Sequence, residues 1–209
     1  MSQRKYDIVN EVFNAITHGL GCLAAISGLI FLLIKAVSLG KIYMFAYLVF
    51  GLCLTLLFLS STLFHSLIFT KARNFFQIMD HCSIYLLIAG SYTPYCLLTI
   101  QGKKGWILFS IIWLLAIGGV IYKSFFINKK WKFDFVIYLF MGWLCLVACR
   151  DLYDGLGWNG ILLLVLGGLS YSLGTIFYAL QNKKFMHVVW HLFVLAGAAF
   201  IYFSIYLYT

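Results

Sequence analysis

Apolar stretches of membrane-crossing length follow one another along nearly the whole chain, and this limits the fold more than any other feature. A helix crossing a bilayer needs about 20 consecutive apolar residues. Seven such stretches can be read, over residues 12–34, 42–66, 78–99, 105–127, 133–150, 160–180 and 186–207. Only 10% of the residues are charged, against about 25% in a soluble domain. Because a bilayer leaves backbone groups no water to bond, spans of this length must be helices. The expectation is a single integral membrane domain over 1–209, an all-α bundle of seven transmembrane helices, with no room for a soluble domain. The first apolar stretch is too long for a cleavable signal peptide and lacks its small-residue motif. It is therefore kept as a true span.

The net charge of +9 is distributed as a topology signal rather than as a nucleic-acid surface. The N-terminal side and the alternate loops on that side carry ten basic residues: Arg4, Lys5, Lys71, Arg73, Lys123, Lys129, Lys130, Lys132, Lys183 and Lys184. The opposite side carries five, Lys35, Lys41, Lys103, Lys104 and Arg150. The positive-inside rule then predicts a multi-pass protein of the cell membrane, with a cytoplasmic N-terminus and an extracytoplasmic C-terminus. Membrane lipids are the expected partners and nucleic acid is not. The six cysteines all fall inside spans with no CxxC pair, and read as small apolar packing residues rather than a disulfide framework.

With that topology, His18, His65, His81, His187 and His191 all come near the inner membrane face, together with Asp80 and Glu11. An Asp or Lys at a helix centre costs roughly 2.5–3.5 kcal/mol on insertion scales, so intramembrane ionisable groups mark sites. The outer half of the spans offers no His, Asp or Glu, which argues against a proton or ion path through the membrane. A retinal-type Schiff base is excluded in the last span, where residues 185–209 contain no lysine. Haem between two histidines is disfavoured, since two histidines on one helix face cannot serve both axial positions.

His187-Val-Val-Trp-His191 places two imidazoles on one helix face, about 5–6 Å apart at their Cβ atoms. Such a pair either binds one ion or packs as polar residues in a helix seam. Burial without a partner is expensive in a membrane, which favours the ion. Ser61 stands one turn deeper than His65 on the same face, and Asp80 follows across a short basic loop. Three neutral histidines and a water form an open tetrahedral Zn2+ site. Asp80 would then hold the water or act as general base, with Ser61 as its hydrogen-bonding partner; a serine bonding its own helix backbone is the alternative for Ser61. Glu11, Asn14 and His18 form one stripe of the first helix, as outer neighbours of the site or as cavity lining. Glu11 reads equally well as a first-turn acid favoured by the helix dipole. His81, next to Asp80, is turned about 100° away from it on a helix and is expected to miss the metal.

Other features have structural readings. Pro94 is expected to kink the third helix, and Gly167-Gly168-Leu169-Ser170-Tyr171-Ser172-Leu173-Gly174 to allow close helix packing. Asp151 and Asp154, with Gly155 and Gly157, read as a solvated outer turn. Trp106, Trp131 and Trp158 read as interface anchors.

Taken in order, Glu11-x-x-Asn14-x-x-Thr17-His18-Gly19, Ser61-x-x-x-His65, Asp80-His81-Cys82-Ser83-Ile84-Tyr85, Ala89-Gly90-Ser91-Tyr92-Thr93-Pro94 and His187-x-x-x-His191 resemble the bacterial hemolysin III family. That family lies within the larger group of progestin and adiponectin receptors. The resemblance covers the whole chain. It implies a seven-helix protein with zinc on the inner side, held by His65, His187 and His191, with Asp80 and Ser61 beside it. It also implies a likeness to intramembrane amide hydrolases of ceramide-like lipids. Three functions stay open on this basis: a zinc-dependent lipid amidohydrolase, a membrane-lytic, pore-forming protein as the family's name suggests, and a receptor or regulator of membrane state with structural zinc.

Overall fold

The computed structural model describes residues 2–126 and 134–209, which are helical throughout apart from short turns. The elements are α1 (Gln3–Leu39), α2 (Lys41–Ser66), α3 (Arg73–Pro94), α4 (Gly102–Phe126), α5 (Asp134–Trp143), α6 (Cys149–Ala179) and α7 (Met186–Tyr208). Lys129, Lys130, Trp131 and Lys132, counted above for topology or anchoring, lie outside the described residues. Six helical stretches are long and apolar enough to cross a membrane, among the described residues. Large apolar side chains face outward along them, Val37 at 76% and Phe125 at 78% exposure among many. A continuous apolar exterior of this kind suits lipid, not water. This is a multi-pass membrane protein.

α1 begins at Ser2, whose hydroxyl accepts the Lys5 N–H, and its 37 residues rise about 55 Å. That exceeds the roughly 30 Å hydrocarbon layer, so the polar first turns up to Glu11 project beyond the apolar part. Gly40 alone separates α1 from α2, with φ 107, a conformation that glycine adopts without strain. At Pro94, where a kink was expected, the dihedrals stay helical and the α-helix ends. The chain continues as a π-helical segment, Tyr95–Ile100, closed by the Gln101 N–H donating to the Cys96 carbonyl at 3.0 Å.

The outer turn expected over Asp151, Asp154, Gly155 and Gly157 is narrower: Asp151, Asp154 and Gly155 are helical, and the break falls at Gly157. α5 runs through a 3-10 segment, Leu144–Ala148, into α6, whose own interior leaves helical geometry at Gly157, φ 64. Leu152 and Leu156, four apart, are both buried, and this apolar stripe holds the helix against the loop preference of Asp and Gly. Asp151 pairs with Lys104 of α4, and Asp154 with Arg150 at 3.8 Å. Beyond Gly157 the chain runs back beside itself, with the Trp143 indole N–H donating to the Ser172 hydroxyl at 3.0 Å. Phe135–Ala179 is thus one of the six long stretches, 45 residues with this break inside it.

Two apolar clusters flank the interior. One joins α1, α2 and α7 through residues such as Leu32, Phe50, Phe58 and Ile205. The other joins α3, α4 and α5 through Tyr85, Ile112 and Met141. α6 and α7 approach closely where the small-residue run faces α7. A Cβ on Gly167 would sit 2.7 Å from Ile201, and one on Gly174 2.8 Å from Trp190. All six cysteines are unbridged.

Candidate metal centre

α2 ends and α7 begins at the same end of the bundle, and this brings the histidines together. His187 and His191 share a face of α7 with ring centroids 4.7 Å apart; His65, on the last turn of α2, lies 5.1 and 5.0 Å from them. One candidate ligand nitrogen from each ring lies within 4.8 Å of the others. These imidazoles could hold a metal ion. The cluster does not extend to Asp80 or His18.

Neighbouring groups decide which ring nitrogens are free. His65 Nδ1 is 2.6 Å from a Glu11 carboxylate oxygen and donates to it, while its Nε2 is buried without a partner among the described residues. His191 Nδ1 lies 3.3 Å from both the Asn14 carbonyl and the Thr17 hydroxyl. The Thr17 proton is committed to a carbonyl of its own helix at 2.9 Å, so Thr17 also accepts. Both rings therefore carry the proton on Nδ1 and present Nε2, the arrangement in which a carboxylate or carbonyl orients a metal-ligating histidine. A buried Nε2 on His65 and three imidazole nitrogen donors fit a zinc-type ion.

The other sequence-selected residues are distributed around this triad. Asp80, on the second turn of α3, lies beside the Ser61 hydroxyl and within electrostatic range of His65 and His81. The Ser83 hydroxyl donates to the Asp80 carbonyl at 2.7 Å and contacts Ser60 at 3.0 Å, tying α3 to α2 here. His81 uses Nδ1 to donate to the Gln77 carbonyl at 2.8 Å and stands outside the triad. His18 stacks flat on His191, centroids 3.6 Å apart. Asn14, fully buried, flanks them on α1.

The site is the polar end of a cavity of about 1270 Å³. Glu11, Ser61, Asp80 and the histidines line that end, and Leu57, Leu87, Ile161, Val194 and Ile201 line its apolar body. Sequence reasoning missed three contributors. Lys123, read only as a topology charge, is buried in the last turn of α4 and lines the cavity. Thr17 was visible as a polar residue on the Asn14–His18 stripe but was given no role. The Tyr6–Phe185 clamp had no sequence signal. There the Tyr6 hydroxyl accepts the Phe185 N–H at 3.0 Å and the rings meet edge to face at 5.2 Å, holding Phe185 at φ 59 where α7 begins.

A family model described as haemolysin-III related matches residues 6–202. The chain belongs to the haemolysin-III-related family. Within it, the protein is 44% identical over 210 residues to "Hemolysin-3" of Bacillus cereus, covering 100% of this chain and 96% of that one. It is 43% identical over 204 residues to "Hemolysin-3 homolog" of Bacillus subtilis (strain 168), covering 97% and 96%. At lower identity, 32% over 166 residues, it resembles the human "Monocyte to macrophage differentiation factor", covering 77% of this chain and 68% of that protein. The resemblance carried by the ordered motifs is thereby established as kinship, including its reach toward the progestin and adiponectin receptor group.

Proposed function

We propose that this haemolysin-III-related protein is a zinc-dependent hydrolase of lipid amides, of the ceramide-like kind, working from the cytoplasmic side of the membrane. The observation that carries the reading is a three-histidine cluster, with a carboxylate beside it, lining a cavity whose walls are mostly apolar. His65, His187 and His191 would hold the ion, with Glu11 fixing the first ring and the Asn14 carbonyl the third. Zinc held there supplies Lewis acidity, which polarises a carbonyl and lets water give up a proton near neutral pH. Asp80 is the general base: it takes the proton from water and returns it to the leaving amine. The Ser61 hydroxyl steadies the Asp80 carboxylate between these transfers. The apolar cavity seats the acyl chain and keeps bulk water from the scissile amide.

Seven crossings with the N-terminus inside belong to the same reading. The ten-to-five distribution of basic residues supports the orientation. The break at Gly157, with Trp143 beside Ser172, supports two antiparallel spans within 135–179. Labelling of Ser2→Cys and Thr209→Cys variants, both in a Cys149→Ser background because that thiol is free and exposed, in intact cells with a membrane-impermeant thiol reagent tests it: only the second is expected to react.

The deciding experiment is fatty-acid release from acyl-amide lipids by the purified protein, with metal content measured on the same sample. Stoichiometric zinc with turnover that Asp80→Asn abolishes supports the proposal. Stoichiometric zinc without release from any acyl amide overturns it. The relatives' printed name favours a second reading, membrane lysis. Dye release from liposomes that survives His187→Ala/His191→Ala would select that reading over hydrolysis.

A further inference from the structure

α1 and the start of α7 form a second hollow, on the outside of the bundle and apart from the histidines. Phe13, Phe185, Val188 and Val189 line a groove of about 320 Å³ and share no residue with the central cavity. The lining is apolar throughout, and Phe13 is 48% exposed beside it. Leu20 follows Phe13 by seven residues and Leu192 follows Val188 by four, so each continues the same helix face. Both are exposed, at 63% and 51%. An open apolar furrow therefore runs from the start of α7 down the seam between α1 and α7.

The head of this furrow is basic. The Lys184 ammonium lies 5.7 Å from the centre of the Tyr6 ring, and that ring meets Phe185 edge to face. Lys5, next to Tyr6, precedes Phe13 by eight residues, about 80° of rotation and 12 Å of rise on a helix. Arg4 and Lys183 adjoin them in the chain, and all four basic residues are exposed. Asp7 is the acid of this stretch of α1 before Glu11, and it accepts a bond from Gln3 at 2.7 Å. No side chain among the described residues caps the first turn of α7, so its helix dipole adds to the positive field.

A zwitterionic lipid matches the apolar furrow alone. A lipid with a net negative phosphodiester matches the furrow and its basic head together, because each Lys or Arg near the headgroups attracts anionic lipid. Lysine stems can lie on apolar surface while the ammonium reaches up to the phosphate. The rise from Phe13 to Lys5 is enough to cross the headgroup layer of one leaflet, about 5–8 Å thick.

We propose that the seam between α1 and the start of α7 binds an anionic phospholipid, its phosphate between Lys5 and Lys184 and one acyl chain along Phe13, Val189 and Leu192. Phe185 gives this site a consequence. Its φ of 59 is an outlier for a bulky residue, and it is held by Tyr6 and Phe13, which stand at the head of the furrow. A lipid seated there braces the start of α7. The site rests on the orientation proposed above only for which leaflet supplies the lipid.

The test uses the full chain in nanodiscs of phosphatidylcholine with a minority of phosphatidylglycerol. Native mass spectrometry counts the lipids the protein retains, and thermal melts compare discs with and without the anionic lipid. The wild type is expected to enrich phosphatidylglycerol about tenfold or more over the bilayer ratio, the scale of two basic side chains at a membrane surface. It is also expected to melt higher when that lipid is present. Lys5→Gln/Lys184→Gln is expected to lose both effects. Lys41→Gln/Lys103→Gln removes the same charge from exposed positions at the other end of the bundle and is expected to keep both. Phe13→Ala takes away one wall of the groove without touching a charge, and is expected to weaken the enrichment several-fold. No enrichment in the wild type overturns the proposal. So does equal loss in the two double variants, which would reduce the attraction to net charge. Unchanged enrichment in Lys5→Gln/Lys184→Gln or in Phe13→Ala overturns it as well. Both leaflets of a nanodisc carry the same lipids and no turnover is involved. Failure of the hydrolase or of the proposed orientation therefore leaves this result readable, and the reverse holds.

Discussion

The Glu11 carboxylate lies 2.6 Å from Nδ1 of His65, although the two residues are 54 positions apart on different helices. The contact fixes the His65 tautomer and turns its free nitrogen toward His187 and His191. Glu11→Gln keeps the shape but weakens the charge-assisted bond. Metal affinity is expected to fall about 10–100-fold, the usual cost of losing an orienting partner. Competition with a calibrated chelator measures it; unchanged retention would make Glu11 an ordinary first-turn acid.

The proposed ligand set makes a sharper distinction among the histidines. Alanine at His65, His187 or His191 is expected to strip the purified protein of metal, whereas His81→Ala is expected to retain full stoichiometry. His81 spends its Nδ1 on the Gln77 carbonyl 2.8 Å away and stands outside the triad. Elemental analysis of the four variants decides this, and metal loss in His81→Ala would place that ring among the ligands.

α7 is anchored at its start by the Tyr6 hydroxyl on the Phe185 N–H. Tyr6→Phe leaves the ring contact but orphans that N–H, at a cost of about 1 kcal/mol. Because His187 lies two residues beyond, a several-fold loss of metal affinity is expected along with the lower melting temperature. A melting shift without any change in affinity would confine the clamp to stability.

Gly105 sits where a Cβ would run into the Cys96 carbonyl. A backbone carbonyl cannot swing aside as a side chain does, so Gly105→Ala is expected to destabilise by about 1–3 kcal/mol. At Gly118, where a Cβ meets nothing within 4 Å, alanine is expected to be neutral or slightly stabilising. Thermal melts in one detergent compare the two, and equal melting temperatures would contradict the close approach.

The histidine cluster was legible because membrane burial makes each ionisable side chain conspicuous, and HxxxH encodes a shared face in four residues. The Asp151 region was misread for the opposite reason. Its Asp and Gly content outweighed the Leu152–Leu156 stripe, and the stripe matters only once another surface buries it. His18 was selected as an outer group, but its flat stack on His191 depends on how α1 and α7 are rotated against each other. Lys123 looked like a loop charge because its burial is set by neighbouring helices rather than by the run of sequence around it.

The sequence by itself determined that the chain is a bundle of membrane helices and that its ionisable residues gather at one end. Transfer cost and helical periodicity are properties of short runs of residues and need no knowledge of neighbours. Only the tertiary structure decided that His65 meets the α7 pair, that Glu11 bonds His65, and that of the four expected turn residues Gly157 alone breaks the helix. Those outcomes depend on the rotation and depth of each helix against the others. Packing between distant segments fixes both, through side chains that no local pattern identifies as partners.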